Sequence, residues 1–257
     1  MRPRISRTSG FTLTELLVVI ALIGLLATTM GVALTGSKGR SLTTAQREVM
    51  SALNVARISA IKGGGLYKGQ DLSGTIPVAA LVINVDRDSP GYLRQFGVVA
   101  GRCNSGYGSG SFRWKAVGQP MMLPEGIYFV TQESDNEVEA RSNIETSGSA
   151  VLSLTYPYFQ MATASGGANV GANIPSGDTA DYYCVFFGGD GTLIPPGNNS
   201  PNSTYSQNLV MGAGQKTNIQ TNGSFDIEFP AQGQVIGVST VRYGNPIPIN
   251  DPEDLLP

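Results

Sequence analysis

The chain has 257 residues, of which only 14% are charged against the roughly 25% of an average soluble chain, while 41% are hydrophobic and 8% aromatic. A net charge of −2 gives no basic footprint for nucleic acid. The absence of histidine removes the commonest general base, the usual catalytic triads and most zinc sites, and nothing in the composition calls for a cofactor.

The first element is a leader, residues 1–10, that carries Arg2, Arg4 and Arg7 and no acidic side chain. Losing those three arginines takes the net charge from −2 to −5. They favour a cytoplasmic N-terminus, although Lys38, Arg40 and Arg47 on the far side weaken the asymmetry. Residues 11–34 follow, uncharged except for Glu15. As a helix they cover about 36 Å, enough for a hydrocarbon layer of about 30 Å with some tilt. A carboxylate near the centre of such a span costs roughly 2.5–3.5 kcal/mol, and less near its end. An ordinary signal peptide, cut at a small-x-small site such as Gly31-Val32-Ala33, supplies no cation to offset Glu15, and neither does a plain signal anchor. Cleavage between Gly10 and Phe11 does. It leaves a new α-amine on Phe11 one helical turn from Glu15, so the two charges can neutralise each other within a chain or between axially shifted neighbours.

Gly10-Phe11-Thr12-Leu13-Thr14-Glu15-Leu16 closely resembles the prepilin cleavage and methylation motif of type IV pilins and type II secretion pseudopilins. The resemblance implies that prepilin peptidase cuts after Gly10 and N-methylates Phe11, and that Glu15 is the carboxylate used in filament assembly. Its other implied partners are further pilin or pseudopilin subunits, met through the N-terminal helix, and the inner membrane. The expected place is the bacterial inner membrane, crossed once with the head in the periplasm, and then a pilus or pseudopilus.

Beyond the span the helix is expected to continue. Leu42, Ala45, Val49, Ala52, Leu53, Ala56 and Ala60 recur at intervals of three and four, one apolar stripe with polar residues between. No proline occurs between Phe11 and Ile76, and Gly63-Gly64-Gly65 supplies a stop. A single helix over 11–62 measures about 78 Å, its first half in lipid and its amphipathic half, residues 35–62, against a domain. Gly31, Gly36 and Gly39 mark a weak zone between the halves. Major pilins usually carry a mid-helix proline, so its absence resembles a minor pilin or pseudopilin.

Residues 63–257 read as a β-rich head. Candidate strands are Ile76–Val85, Tyr92–Ala100, Phe112–Val117, Ile127–Thr131, Val151–Tyr156, Tyr182–Phe187, Phe225–Phe229 and Val235–Tyr243, bounded by glycine, proline and Asn/Asp turns. Ala164–Asp181 and Pro195–Tyr205 read as loops. The order predicts an α+β fold, one long N-terminal helix packed on an antiparallel sheet head. Two short runs, residues 54–62 (Asn-Val-Ala-Arg-Ile-Ser-Ala-Ile-Lys) and 183–192 (Tyr-Cys-Val-Phe-Phe-Gly-Gly-Asp-Gly-Thr), resemble the helix end and a late strand-turn of GspH/FimT-type minor pseudopilins.

Candidate sites in the head are few. Cys103 and Cys184 are either one disulfide or two buried thiols; a bond would close a loop of about 80 residues, worth about 4.5 kcal/mol on chain entropy alone. Asp86 and Asp88, or Asp178 and Asp181, are weighed as calcium ligands against the blander reading of solvated turn aspartates, which is favoured. Trp114 reads as a core strand residue before a stacking platform, and the Asn-x-Ser/Thr sequons as chance. The expected function is therefore a non-enzymatic filament subunit. The rival from another class is a membrane-anchored extracytoplasmic binding or adhesin module.

Overall fold

The computed structural model describes residues 13–63, 76–103, 112–132, 142–147, 150–155, 160–161, 179–195, 206–221, 223–230, 234–241, 243 and 245–250, with the backbone alone for 24–38, 76, 103, 112–114, 153–155, 160–161 and 179. The chain forms two compact units, Met1–Arg40 and Ser41–Pro257. Helix α1 runs from Leu13 to Ile61. It is helical through Gly31, Gly36 and Gly39, and the boundary between the units falls just after the last of these. The expected start at Phe11 lies outside the described residues.

In the second unit the apolar stripe behaves as its spacing requires. Leu42, Ala45, Val49, Ala52, Leu53, Ala56 and Ala60 are all buried, joined by the amide of Gln46. The helix ends where Gly63 N–H donates to the Ala60 carbonyl (3.1 Å). A Cβ on Gly63 would stand 2.3 Å from the Pro77 Cβ, so the close approach of the helix end to the first strand needs glycine.

Every strand pairing is antiparallel. In the larger sheet β1 (Ile76–Asn84) is flanked by β2 (Gln95–Cys103) and β8 (Thr179–Gly188). Beyond β2 lie β3 (Phe112–Ala116) and the short β4 (Met121–Met122); beyond β8 lie β6 (Val151–Thr155), β7 (Gln160–Met161) and β9 (Leu193–Ile194). Although β3 and β7 end the strand order, they touch, so the sheet curls towards closure. That accounts for β1 reading as an unbroken apolar run: both its faces are buried. Ala79, Leu81 and Ile83 join the cluster around the helix, whereas Val78, Ala80 and Val82 join a second cluster with Tyr182, Cys184 and Phe186.

The smaller sheet is ordered β14 (Ile247–Ile249), β13 (Val235–Val241), β10 (Ser206–Ala213), β5 (Ile127–Phe129). Its inner face gives Leu209, Met211 and Val238 to the helix cluster; its outer face holds Val130, Val210, Val235 and Ile249. A separate ribbon pairs β11 (Gln215–Thr217) with β12 (Asp226–Glu228). Leu93 stitches the two main sheets. Its N–H donates to the Asn84 carbonyl and its own carbonyl accepts from Phe129, both at 2.8 Å. The residue is buried with φ of 52°, a left-handed conformation that costs a leucine about 1–2 kcal/mol.

The eight expected strands are present, with shifted ends. The expectation of a strand from Tyr92 is corrected to Gln95, because residues 87–94 form turns held by the Asn84 amide, whose Nδ2 donates to Ser89 Oγ (2.8 Å) and Gln95 Oε1 (3.2 Å). The expected loop ending at Asp181 is corrected too, since β8 begins at Thr179. Strands β10, β11 and β14, with the two-residue β4, β7 and β9, were not expected.

Candidate functional site

Glu15 lies in the first turn of α1, where the partial positive charge of the helix N-terminus favours a carboxylate, and it is exposed. Around it every described side chain from Leu13 to Ile23 is exposed, including Leu13, Leu16, Leu17, Val18, Ile20 and Ile23. A helix apolar on all sides is not a surface helix of a soluble domain; its stable surroundings are lipid or other apolar helices. Among the described residues no helix is long and apolar enough to cross a membrane. The expected span over 11–34 falls partly on Phe11, Thr12 and the side chains of 24–34, which lie outside the description, as do Gly10 and the leader.

The described strands bear on the two alternatives for the cysteines. Cys184 is a free, buried thiol. Cys103 pairs with Ile76 on one side of β1, and Cys184 with Val82 on the other. Six positions along β1 separate those partners by roughly 20 Å, whereas a disulfide needs Cα atoms within about 7 Å. Burial pushes the Cys184 thiol up, against a lesser opposing effect from the Leu152 backbone. Cys184 in the native chain is therefore expected to resist a thiol reagent at pH 8 and to react fully in denaturant. Labelling at the same rate in both states would contradict its placement.

Asp86 serves the turn after β1: its Oδ1 accepts from the Asp88 N–H (2.9 Å), and its own N–H donates to Asn84 Oδ1 (3.0 Å). Arg87 reaches Asp226 at 3.6 Å. Among the described residues no group of three or more Cys, Asp or Glu side chains gathers to hold a metal. Asp181 is exposed on β8; Asp178 and the Trp114 side chain lie outside the description.

The two short runs singled out in the sequence meet in space. Arg57 Nε donates to the Gly191 carbonyl (3.1 Å), in the turn that follows β8. That turn is closed by Asp190 Oδ1, which accepts from the Thr192 N–H (3.0 Å) and hydroxyl (2.7 Å). Gly191 has φ of 77°, and a Cβ there would lie 2.8 Å from Ile61 Cδ1. The guanidinium also donates to Asn245 Oδ1 (2.6 Å) and the Tyr243 carbonyl (3.4 Å). One arginine thus ties the helix end to turns of both sheets. The spacing of Arg57 on its helix gave no sign of partners so distant in sequence.

Residues 5–31 match the family model described as the prokaryotic N-terminal methylation motif, which marks a type IV pilin-like substrate of prepilin peptidase. No curated protein and no solved structure matches the chain.

Proposed function

We propose that this type IV pilin-like chain is a structural subunit, a minor pilin or pseudopilin of a type IV pilus or type II secretion pseudopilus. The observation that carries the reading is the coincidence of the methylation motif over residues 5–31 with an all-round apolar helix bearing one carboxylate, Glu15, in its first turn. On this reading the precursor crosses the inner membrane once through residues 11–34, with the arginines of its leader in the cytoplasm and its head outside. Prepilin peptidase cuts between Gly10 and Phe11 and methylates the new amine. Glu15 then meets a methylated N-terminus, its own or a neighbour's, and the apolar helices exchange lipid for one another. The placement beside the GspH/FimT-type minor pseudopilins rests on the resemblance of residues 54–62 and 183–192, two runs that Arg57 and Gly191 bring together.

The test is mass spectrometry of the mature chain from membranes. The expected N-terminal peptide starts at Phe11 and carries one methyl group. A chain retaining residues 1–10, or one beginning near Leu34, overturns the reading.

A further inference from the structure

Two sets of contacts fix the direction in which the chain leaves the smaller sheet. Gln46 Nε2 donates to the carbonyls of Gly237 in β13 and Ile249 in β14, while Arg57, further along α1, reaches the Tyr243 carbonyl and Asn245 Oδ1. Strand β13 therefore runs with the helix. Strand β14 is antiparallel to it, with Gly237 opposite Ile249, and so runs against the helix. The chain leaving Ile249 is aimed back towards Ser41, where the second unit begins.

The helix flank on that side carries a cation. At about 3.6 residues per turn, Gln46 and Arg57 stand about 20° apart at one edge of the buried stripe, while Thr43 and Arg47 lie about 60° and 100° beyond Gln46, away from the stripe. Since Gln46 and Arg57 make their contacts to the β13–β14 side from this edge, the flank beyond it is the one next to β14, the last strand of the sheet. Thr43 and Arg47 are exposed, and Arg47 makes no ion pair among the described residues. A long side chain on a helix leans towards the N-terminus, which carries the guanidinium over the turn at Thr43. Two residues of extended chain advance about 7 Å, a little more than one helical turn, so Asp251 extended from Ile249 comes level with that turn. Asp251 opens the run Asp251-Pro252-Glu253-Asp254, three carboxylates in four residues, which lies outside the described residues. Pro252 favours the extended backbone at Asp251 that this reach assumes.

We propose that residues 251–254 form an acidic strap that docks on the α1 flank of the same chain, with the Asp251 carboxylate on the Arg47 guanidinium. Strand addition suits this edge poorly, because Pro246 and Pro248 have no N–H to offer another strand, and charge is what the flank presents instead. One exposed ion pair favours the docked state by a factor of only about two to five, so Glu253 and Asp254 add their field to it and salt releases the strap. Docked, it covers the outer edge of β14 and neutralises Arg47 near the start of the second unit. The contact lies within one chain and is independent of the filament reading.

The test uses the full-length chain in uncharged detergent micelles, carrying Cys103→Ser and Pro252→Cys, which keeps all three carboxylates. A further cysteine is placed by Thr43→Cys or, about 100° around the helix, by Thr44→Cys. On mild oxidation the expected result is an intrachain disulfide that forms roughly tenfold faster with Thr43→Cys than with Thr44→Cys. Adding Arg47→Glu is expected to slow the faster reaction about fivefold, and Asp251→Arg with Glu253→Arg to restore it, a rescue that a merely structural role for Arg47 does not give. Equal rates for the two helix positions, or a rate indifferent to Arg47→Glu, overturn the strap. A disulfide-linked dimer in place of the intrachain bond gives the flank to a second copy, and loss of the bond in phosphatidylglycerol nanodiscs gives it to lipid phosphates; each overturns the strap as well.

Discussion

A Glu15→Ala chain is expected to be exported, cut at Phe11 and folded in its head, yet to be at least thirtyfold scarcer in filaments than wild type. The argument turns on where the charge costs and where it gains. In the membrane the alanine is the cheaper residue, so insertion and retention do not suffer. On the proposed filament reading, the position faces an α-amine within a medium of low dielectric. Two opposite charges about 4 Å apart interact by about 4 kcal/mol even at an effective dielectric of 20, and removing one partner leaves the other buried alone. A net loss of only 2 kcal/mol at each subunit addition is a factor of about thirty. Glu15→Gln separates charge from shape, since it keeps the volume and the hydrogen-bonding capacity. It should resemble alanine if the ion pair matters, and wild type if packing alone does. Quantifying the chain in sheared filaments against its membrane pool gives the answer. Glu15→Ala at the wild-type level in filaments would end the assembly role.

That expectation was legible early because the N-terminal signal is local. Gly10, Phe11 and Glu15 sit within one short run, and the energetic oddity of a carboxylate at the start of an apolar segment needs no tertiary context. The head was legible only where burial writes itself into composition. Strands β1 and β8 are apolar on both faces, and Val-Ala-Ala-Leu-Val-Ile and Tyr-Tyr-Cys-Val-Phe-Phe admit few other readings. Strand β10 was missed because it opens Ser-Gln-Asn, and Gln207 is buried only because its amide donates to the Tyr183 hydroxyl (2.6 Å) from 24 residues away. Strand β14 was missed because Pro246 and Pro248 flank Ile247; proline is excluded from a central strand but tolerated at the edge, which is where β14 lies. The cysteines show the same limit. Their separation in sequence allowed a disulfide, and only the register of β1 with β2 and β8 places them too far apart.

Gln46 carries that lesson to a measurable effect. It stands four residues after Leu42 and three before Val49, inside the apolar stripe of α1, and is 4% exposed. Its Nε2 donates to the Gly237 carbonyl of β13 (2.8 Å) and the Ile249 carbonyl of β14 (3.1 Å), so one amide clamps the helix to the edge of the smaller sheet. Truncation to alanine deprives two backbone acceptors of that donor, at about 1–2 kcal/mol each, and opens a small cavity in the buried stripe of α1. The expected loss is about 3–5 kcal/mol. For a unit of this size that is a fall of roughly 10 °C in melting temperature, read by thermal unfolding of the detergent-solubilised chain. Gln46→Met keeps the volume without the donor and should lose about two-thirds as much. Gln46→Glu should do worst, because it turns a carboxylate on two carbonyl oxygens. Gln46→Leu is the informative member of the series. It would complete the apolar stripe on paper, and hydrophobic periodicity alone predicts that it stabilises the helix. The clamp predicts the opposite, a loss close to that of methionine, since the leucine covers the two carbonyls without bonding to them. A leucine variant as stable as wild type would show that the amide is tolerated at this position and does not hold the sheet.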